Sequence, residues 1–252
     1  MITAYHRPQS LDEALQLISR SAPKTVPLGG GTVLSHHRGD GVEVVDLQAL
    51  GLNRIAERGR SLDIGATVTL QQLLESPSCP GAMVAALRLE TPLNLRNSSS
   101  IAGTLMVCDG RSSFVTLLLA LDARVAIMHP TAETVPLGEL LPLRNQLQRG
   151  FLITGLELPR AVRVEFDYVA RTPADRPIVA AAVARWPSGR IRLALGGFGP
   201  MPLLALDGTD ADELDAAARN AMHEASDPWG SAEYRMDVAA TLTRRCLDRF
   251  TD

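Results

Sequence analysis

Three consecutive glycines, placed directly after a strand-like segment, are the feature of this 252-residue sequence that could do chemistry. Lys24–Leu28 has the composition of a strand, and Gly29–Thr32 follows it at once. Glycines there permit left-handed backbone conformations and let N–H groups reach an anion without an intervening Cβ. A helix beginning at Thr32 would add its dipole. Taken alone, the loop has neither the Rossmann fingerprint nor the P-loop pattern, so an ordinary tight turn explains it better.

A second loop, Ser98–Thr104, strengthens the prediction that the first loop binds an anion. It combines hydroxyl groups, small residues and a glycine ahead of a helix, and it follows the first loop by about 70 residues. Two such loops could hold a pyrophosphate from both sides. A third glycine cluster, Gly196–Pro200, is predicted only to end a strand. The pair of loops therefore predicts a phosphate-containing ligand.

Candidates for catalytic or metal-binding side chains are weak by comparison. His36 and His37 could touch a cofactor beside the first loop, but a solvated loop explains them equally well. The cysteines Cys79, Cys108 and Cys246 are far apart and form no CxxC pair, which excludes a four-cysteine zinc or iron–sulfur site in this chain. Any redox chemistry must then come from a bound organic cofactor.

The elements that would position the two loops are short and mixed. A small α/β unit is predicted over the first 55 residues or so, with capping boxes at Ser10–Glu13 and Thr69–Gln72. The remaining predicted strands cover 60–66, 152–158, 164–170, 179–184 and 191–195, and the remaining predicted helices cover 83–89 and 114–121. A further helix is predicted to start at Asp210–Glu213, and a long one after Ser231 with Tyr234, Val238, Leu242 and Cys246 on one face. The helix 114–121 is apolar on nearly all sides and should be buried.

Composition excludes several classes of protein. The charge is −3, with 25 Lys and Arg against 28 Asp and Glu, and 46% of the residues are hydrophobic. A disordered chain and a dedicated nucleic-acid binder are both unexpected at these values. No apolar run approaches the ~20 residues of a membrane span, and the N-terminus has no hydrophobic signal core. A cytoplasmic location is therefore expected.

Motifs spread along nearly the whole chain resemble those of one family. They are Tyr5–Ala14 (similar to RPxSLxEAL), Leu28–Thr32 (AGGT), Ile64–Ala66 (IGA), Leu95–Thr104 (IRNxATIGGN), Leu119–Ala123 (LLALDA), Ile153–Pro159, and Tyr234–Arg235 with Arg244–Arg245 (YR…RR). In this order and spacing they resemble the FAD-binding, or medium, subunit of xanthine dehydrogenase and carbon monoxide dehydrogenase-type molybdenum hydroxylases.

The resemblance implies an α+β fold. It consists of a two-part FAD-binding fold of the vanillyl-alcohol oxidase or PCMH type, plus a C-terminal domain with a small antiparallel sheet and helices. The implied FAD-binding domain covers residues 1–160, with subdomains of about 1–55 and 56–160. The implied C-terminal domain, of the CO dehydrogenase flavoprotein type, covers residues 161–252.

The resemblance also implies an oxidoreductase subunit that is active only within a complex. A small ferredoxin-like partner would carry 2Fe–2S clusters, and a large partner subunit would carry molybdopterin. This chain would hold FAD non-covalently and pass electrons to an external acceptor, with NAD or a quinone as candidates. No partner nucleic acid, no transmembrane segment and no metal bound by this chain are expected.

The cofactor-binding residues follow from the same resemblance. The two loops would hold the pyrophosphate and ribityl groups, Ser113 would lie near the ribityl or ring, and Ile153 would lie against the ring; no catalytic side chain is assigned. The residues assigned to the cofactor are Leu28, Gly29, Gly30, Gly31, Thr32, Val33, Leu34, Ser100, Ile101, Ala102, Gly103, Thr104, Ser113 and Ile153.

Some of these positions depart from the family pattern. The family has glycine where this chain has Ala102, asparagine at Thr104, aspartate at Ser113 and often aspartate at Val33, and it commonly has a lysine just before Arg171. Loss of one charged hydrogen bond costs about 1.5–3 kcal/mol, so FAD binding can survive it. The alternative is a scaffold subunit that has lost or weakened FAD binding. A stand-alone flavin oxidase lacks a candidate base in this sequence.

Overall fold

The structure, a computed structural model, describes residues 1–36, 39–147 and 149–250. The strands are β1 (Ile2–His6), β2 (Thr25–Leu28), β3 (Val42–Asp46), β4 (Ile55–Arg58), β5 (Ser61–Gly65), β6 (Arg124–Met128), β7 (Ala132–Pro136), β8 (Leu152–Pro159), β9 (Arg163–Val169), β10 (Val179–Arg185), β11 (Ile191–Gly196) and β12 (Leu203–Gly208). The helices are α1 (Leu11–Ile18), α2 (Leu70–Glu75), α3 (Gly81–Glu90), α4 (Leu93–Arg96), α5 (Ile101–Val107), α6 (Ser113–Ala120), α7 (Leu137–Leu143), α8 (Leu214–Ala221) and α9 (Ala232–Asp248). Short 3-10 turns cover Leu34–His36, Gln48–Leu50 and Arg144–Gln146.

Packing divides the chain into two compact units. Unit 1 contains Met1–Ser78, Leu93–Val107 and Arg124–Glu157, and unit 2 contains the two intervening segments with everything from Leu158 onward. Helices α3 and α6 therefore pack with the C-terminal strands, because α6 is buried along its whole length and needs cover on every side. The predicted family domains, 1–160 and 161–252, are drawn along the sequence rather than by packing, and their limits stay a prediction.

Unit 1 begins with the predicted α/β arrangement. Strands β1, β3 and β2 form a parallel sheet in that order. Helix α1 begins at Ser10, whose hydroxyl accepts a hydrogen bond from the Glu13 backbone N–H at 3.2 Å, a cap that stabilises a helix by about 1 kcal/mol. The helix buries Ala14, Leu17 and Ile18 against residues of β3 and β8. The carboxyl ends of the three strands thus lie along one edge of the sheet.

A five-stranded sheet forms the rest of unit 1, in the order β4-β5-β8-β6-β7. Helix α2 has the predicted capping box, because Thr69 accepts a hydrogen bond from the Gln72 N–H and Gln72 accepts one from the Thr69 N–H. The segment between β5 and α2 then runs beside the second loop, through an isolated bridge between Thr69 and Ser100. This segment links the sheet to the loop.

Unit 2 contains an antiparallel sheet, β12-β11-β10-β9, as the C-terminal part of the fold class predicts. Strands β10 and β11 form the expected hairpin, with Gly189 at φ +88° in its turn. Helices α8 and α9 cover this sheet and bury Leu214, Ala239 and Leu242 against it. The α+β fold class is confirmed in both units.

Two local predictions differ from the structure. Ser98–Thr104 is not a loop throughout, because α5 begins at Ile101 and its first turn includes Thr104. On α9, Tyr234 is 42% exposed, and the buried face contains Arg235 instead. A spacing of four residues drifts around a helix of 3.6 residues per turn, so Tyr234 and Cys246 do not share a narrow face.

Candidate functional site

The first glycine loop leaves the carboxyl edge of the parallel sheet. Leu28 ends β2, and its carbonyl accepts a hydrogen bond from the Leu47 N–H at 3.2 Å. The chain then turns through Gly31, which has φ +69°, and the Gly31 carbonyl accepts a hydrogen bond from the Ser35 N–H at 3.0 Å. No regular helix begins at Thr32, since only the short 3-10 turn from Leu34 follows. The dipole of a long helix is therefore absent from this loop.

The backbone N–H groups of this loop are unpaired. Among the residues that the structure describes, none accepts a hydrogen bond from the backbone amides of Gly29, Gly30, Gly31, Thr32 or Val33. These residues are exposed or half-buried. Five successive amide groups without acceptors, around a left-handed glycine, have the character of an anion-binding backbone nest. No lysine or arginine lies between Leu28 and Leu34.

The second loop packs directly onto the first. A Cβ built on Gly30 would overlap the backbone carbonyl of Ser98, and one built on Gly29 would overlap the Ser100 hydroxyl. The structure thus brings together the two loops that the sequence predicted as a pair. Their close approach depends on the absence of side chains at Gly29 and Gly30.

Hydrogen bonds fix the second loop to the segment after β5. The N–H groups of Ile101 and Ala102 donate to the carbonyls of Val68 (2.9 Å) and Ala66 (3.1 Å), and the Leu70 N–H donates to the Ser99 carbonyl (2.9 Å). The Ala66 N–H in turn donates to the Thr154 carbonyl of β8 at 3.1 Å. A continuous series of backbone hydrogen bonds therefore connects the loop to the five-stranded sheet.

Ser100 and Thr104 are engaged within the second loop. The Ser100 hydroxyl accepts a hydrogen bond from the Gly103 N–H at 3.2 Å, and the Thr104 hydroxyl donates to the Ser100 carbonyl at 3.0 Å. Ser100 is 3% exposed and Thr104 is 7% exposed. These contacts stabilise the first turn of α5, a role that the sequence alone did not suggest.

The other residues assigned to the cofactor lie in different surroundings. Ile153 is on β8 in unit 1 and is 4% exposed. Ser113 begins α6 in unit 2, where its hydroxyl is buried and has no hydrogen-bond partner among the described residues. Val33 is 52% exposed, His36 is exposed, and His37 lies outside the described residues. The roles of Ser113 and Ile153 toward a cofactor stay predictions.

Sequence reasoning missed the polar residues at the same sheet edge. Asp46 is level with Leu28 in the parallel register and is 2% exposed. It accepts hydrogen bonds from the Tyr5 hydroxyl and from the Gln48 N–H (2.9 Å), and the Arg7 guanidinium lies 3.7 Å away. The hydrogen bond to Asp46 raises the pKa of Tyr5. Asp46 is thus already satisfied by the protein, and the only signal for it was a lone acid at a strand end.

The cysteines are not arranged for metal or redox chemistry. All three thiols are free. Burial raises the pKa of Cys79 to about 11 and that of Cys246 to about 12, so both are protonated at neutral pH. Within residues 1–36, 39–147 and 149–250, no three His, Cys, Asp or Glu side chains are grouped so that they could hold a metal ion.

A glycine turn in unit 2 provides a contrast. In Gly196–Pro200 the Gly197 N–H donates to the Gly110 carbonyl at 2.6 Å, and the Gly110 N–H donates to the Gly199 carbonyl at 2.9 Å. A Cβ on Gly110 would overlap the Phe198 carbonyl. The buried Arg235 guanidinium stacks over the Phe198 ring at 5.1 Å. This turn ends β11, as predicted, and is packed inside its own unit.

Buried ionic groups in unit 2 hold α6 and the end of α9. Both carboxylate oxygens of Glu90 accept from the Ser112 hydroxyl at 2.9 Å, and one also accepts from the Phe114 N–H at 3.0 Å. Burial raises the pKa of Glu90 despite these hydrogen bonds. Arg235, fully buried, donates to Asp227 at 2.7 Å. The carboxylates of Glu90 and Asp227 thus accept hydrogen bonds from neighbouring residues, whereas the Nε atom of Arg235 has no hydrogen-bond partner among the described residues.

The geometry of the two loops fits a diphosphate-containing cofactor. Unpaired amides at the carboxyl edge of a parallel sheet are typical donors for phosphate oxygens. Residues 1–161 match the family model described as the FAD binding domain in molybdopterin dehydrogenase, and the chain belongs to this family. Residues 1–161 are therefore a FAD-binding domain of this family.

Known proteins similar to this chain extend over almost its full length. It is 28% identical over 249 residues to the Escherichia coli protein YgfM, covering 96% of this chain and 94% of YgfM. It is 26% identical over 281 residues to the carbon monoxide dehydrogenase medium chain of Afipia carboxidovorans, covering 97% and 95% of the two chains. A chain of the reconstituted CO dehydrogenase from Oligotropha carboxidovorans superposes with a TM-score of 0.82 at 26% identity, over 98% of this chain and 96% of that one.

No helix in the described part of the chain combines the length and the apolar character needed to cross a bilayer.

Proposed function

We propose that this protein is the FAD-binding electron-transfer subunit of a multi-subunit molybdenum hydroxylase, with the FAD pyrophosphate held by the backbone amides of Gly29–Val33. The observation that carries the proposal is the set of five unpaired amides in a loop whose glycines are packed against the second loop. Each hydrogen bond from an amide to a charged oxygen contributes about 1.5–3 kcal/mol. Several together account for binding of a dianionic group without a side-chain cation.

The predicted site residues other than Ser100 each have a place in the proposal. Leu28 and Leu34 flank the anion-binding amides, while Ile101, Ala102, Gly103 and Thr104 form the helical turn behind them. Ser113 and Ile153 are proposed to lie toward the ribityl and ring portions. When bound, FAD supplies the electron-transfer chemistry, and the protein supplies binding, orientation and electrostatic tuning. We assign no catalytic side chain.

The proposed partners are a large molybdopterin-binding subunit and a small subunit with 2Fe–2S clusters. The similar proteins include medium chains and a medium subunit of enzymes named for carbon monoxide, nicotine and glyceraldehyde, which supports a place in a complex of this kind. In this complex the clusters donate electrons and an external acceptor, NAD or a quinone, receives them. We propose a cytoplasmic location.

An absorption spectrum of the purified chain supplemented with FAD, after removal of free flavin, tests the proposal. The expected result is close to one FAD per chain, with flavin bands shifted from those of free FAD. Protein that folds but retains no flavin would contradict the proposal and favour the scaffold alternative. Asp212→Asn is the matched control, because Asp212 is an exposed residue of unit 2 that the proposal does not place at the cofactor, so the variant should retain as much FAD as the wild type.

A second measurement addresses the partners. Isolation of the native complex, followed by metal analysis, should give molybdenum and iron together with this chain. A native preparation in which this chain is alone and turns over a substrate directly would contradict a subunit role.

A further inference from the structure

Gly29 and Gly30 have to be glycines for a reason that does not involve an unusual backbone. Only Gly31 among the three has a left-handed φ, at +69°. Gly29 and Gly30 instead lie under the second loop, where the Ser100 hydroxyl and the Ser98 carbonyl occupy the volume that a Cβ would need. The two loops are thus fitted to each other before any ligand is considered.

Ser100 connects three parts of this arrangement. Its side chain lies against Gly29, its hydroxyl accepts from the Gly103 N–H at 3.2 Å, and its carbonyl accepts from the Thr104 N–H at 2.9 Å. With 3% of its surface exposed, Ser100 has almost no surface on which to contact a ligand. Its hydrogen bonds are directed into the protein.

We propose that Ser100 is a positioning residue: its side chain, together with the Ser98 carbonyl, fixes the first loop in the conformation that leaves the Gly29–Val33 amides unpaired. Ser100 then acts on FAD through Gly29 and does not contact FAD itself. This inference rests on the proposed function, since the amides are the groups that would bind the pyrophosphate.

The two overlaps differ in kind, and this difference makes the proposal testable. The Cβ of an alanine at position 29 would meet only side-chain atoms of Ser100, its Oγ and Cβ. The Cβ of an alanine at position 30 would meet the backbone of Ser98. A second substitution can therefore relieve the first overlap but not the second.

The experiment is a double-mutant cycle with Gly29→Ala and Ser100→Gly, using FAD itself as the probe and flavin fluorescence as the readout. Gly29→Ala should raise the FAD dissociation constant about tenfold or more in the wild-type background. In the Ser100→Gly background the same substitution should change it by less than about threefold. Ser98→Gly should give no such rescue of Gly30→Ala.

Urea unfolding of the FAD-free proteins is measured in parallel, in case Gly29→Ala alone folds poorly; the double variant should then fold. Gly59→Ala is the matched control, because Gly59 has φ +57° in the β4–β5 turn with no atom within 4 Å of a Cβ, so it should lower stability without changing FAD affinity. If wild type binds FAD and Gly29→Ala has the same effect in both backgrounds, the positioning role is wrong and the proposed function stands. If wild type binds no FAD, the proposed function fails, whatever coupling the unfolding experiments show.

Discussion

The glycine loop of unit 1 and the glycine turn of unit 2 have similar composition but use their backbone differently. In Gly29–Val33 the amide groups have no acceptor among the described residues, whereas in Gly196–Pro200 the Gly197 amide and the Gly199 carbonyl are both bonded to Gly110. Both regions pack closely because a glycine leaves room for a neighbouring carbonyl: Gly30 does so in the loop and Gly110 does so at the turn. The two clusters are thus distinguished by the hydrogen bonding of their amide groups and not by their composition, and the proposed FAD site rests on this distinction.

The largest effect is expected from Gly30→Ala. The new Cβ would overlap the Ser98 carbonyl, and backbone cannot move aside cheaply, so we expect a loss of about 3 kcal/mol or more in the free energy of unfolding. Displacement of the loop should also raise the FAD dissociation constant at least about hundredfold. Urea unfolding and fluorescence titration with FAD measure the two effects.

Gly110→Ala is the counterpart of this variant in unit 2, where the overlap is with the Phe198 carbonyl. A comparable loss of stability is expected, with a much smaller change in the FAD affinity of the folded protein. If Gly30→Ala and Gly110→Ala lose FAD affinity to the same extent, the proposal that the loop binds FAD and the turn does not would be contradicted.

The ion pair between the buried Arg235 and the half-buried Asp227, beside the glycine turn, gives the next effect. Arg235→Ala removes the guanidinium that pairs with Asp227 and stacks on Phe198, and it leaves a carboxylate without its partner. We expect a loss of about 3 kcal/mol in the free energy of unfolding, measured by urea denaturation.

Arg235→Met combined with Asp227→Asn should recover part of this loss, because no unpaired charge remains. If the double variant is as unstable as Arg235→Ala, an unpaired charge would not account for the loss.

Acid should destabilise the protein through carboxylates of unit 2. Hydrogen bonding from Arg190 lowers the pKa of Asp207, and at Asp109 the hydrogen bonds and charge of Arg176 lower the pKa although burial opposes them. A carboxylate whose pKa is lowered by folding stabilises the fold at pH values above its ordinary pKa. This stabilisation is lost as the pH falls through the folded-state pKa. The free energy of unfolding should therefore fall below about pH 4, as measured by urea denaturation at a series of pH values.

Asp207→Asn should make this fall less steep, because the variant has no carboxylate there to protonate. Asp212→Asn, an exposed residue of the same unit, is the matched control and should leave the slope unchanged. Glu90 acts in the opposite direction, since its raised pKa adds stability as it takes up a proton. A slope that Asp207→Asn does not alter would contradict the assignment.

The smallest effect is expected at Gly31. Its φ of +69° makes an alanine there cost about 1–2 kcal/mol in stability, whereas asparagine should cost less because it tolerates this conformation. The Cβ would meet only the Leu28 side chain, at 3.4 Å, so the second loop should remain in place and FAD affinity should fall only several-fold. Thermal denaturation and FAD titration of both variants check this; a larger loss for asparagine than for alanine would contradict it.

Much of the fold could be predicted because local signals agreed with packing. Both capping boxes, at Ser10 and Thr69, are present, and α6 is buried along its whole length as its apolar composition indicated. Strands β1, β4, β6, β7 and β12 and helices α4, α5 and α7 were not predicted. Their segments are short and partly exposed, and they become regular only through pairing or packing with distant parts of the chain.

The sequence predicted which residues form the candidate site but not how they are arranged. The sequence indicated two glycine loops that could act together, and the structure brings them into contact within unit 1. It could not indicate that Ser98 and Ser100 fill the space over Gly30 and Gly29, because this depends on a tertiary approach between segments about 70 residues apart. The sequence also could not indicate that the loop amides lack acceptors among the described residues while the Gly197 amide of the turn has one.

The most direct test of the central claim is a titration of 15N-glycine-labelled protein with FAD, followed through the amide resonances of individual glycines. If Gly29–Val33 holds the pyrophosphate, the amide protons of Gly29, Gly30 and Gly31 should move downfield as they acquire acceptors, and their shifts should exceed that of Gly197. Protein saturated with FAD in which the resonances of Gly29, Gly30 and Gly31 do not move would contradict the account.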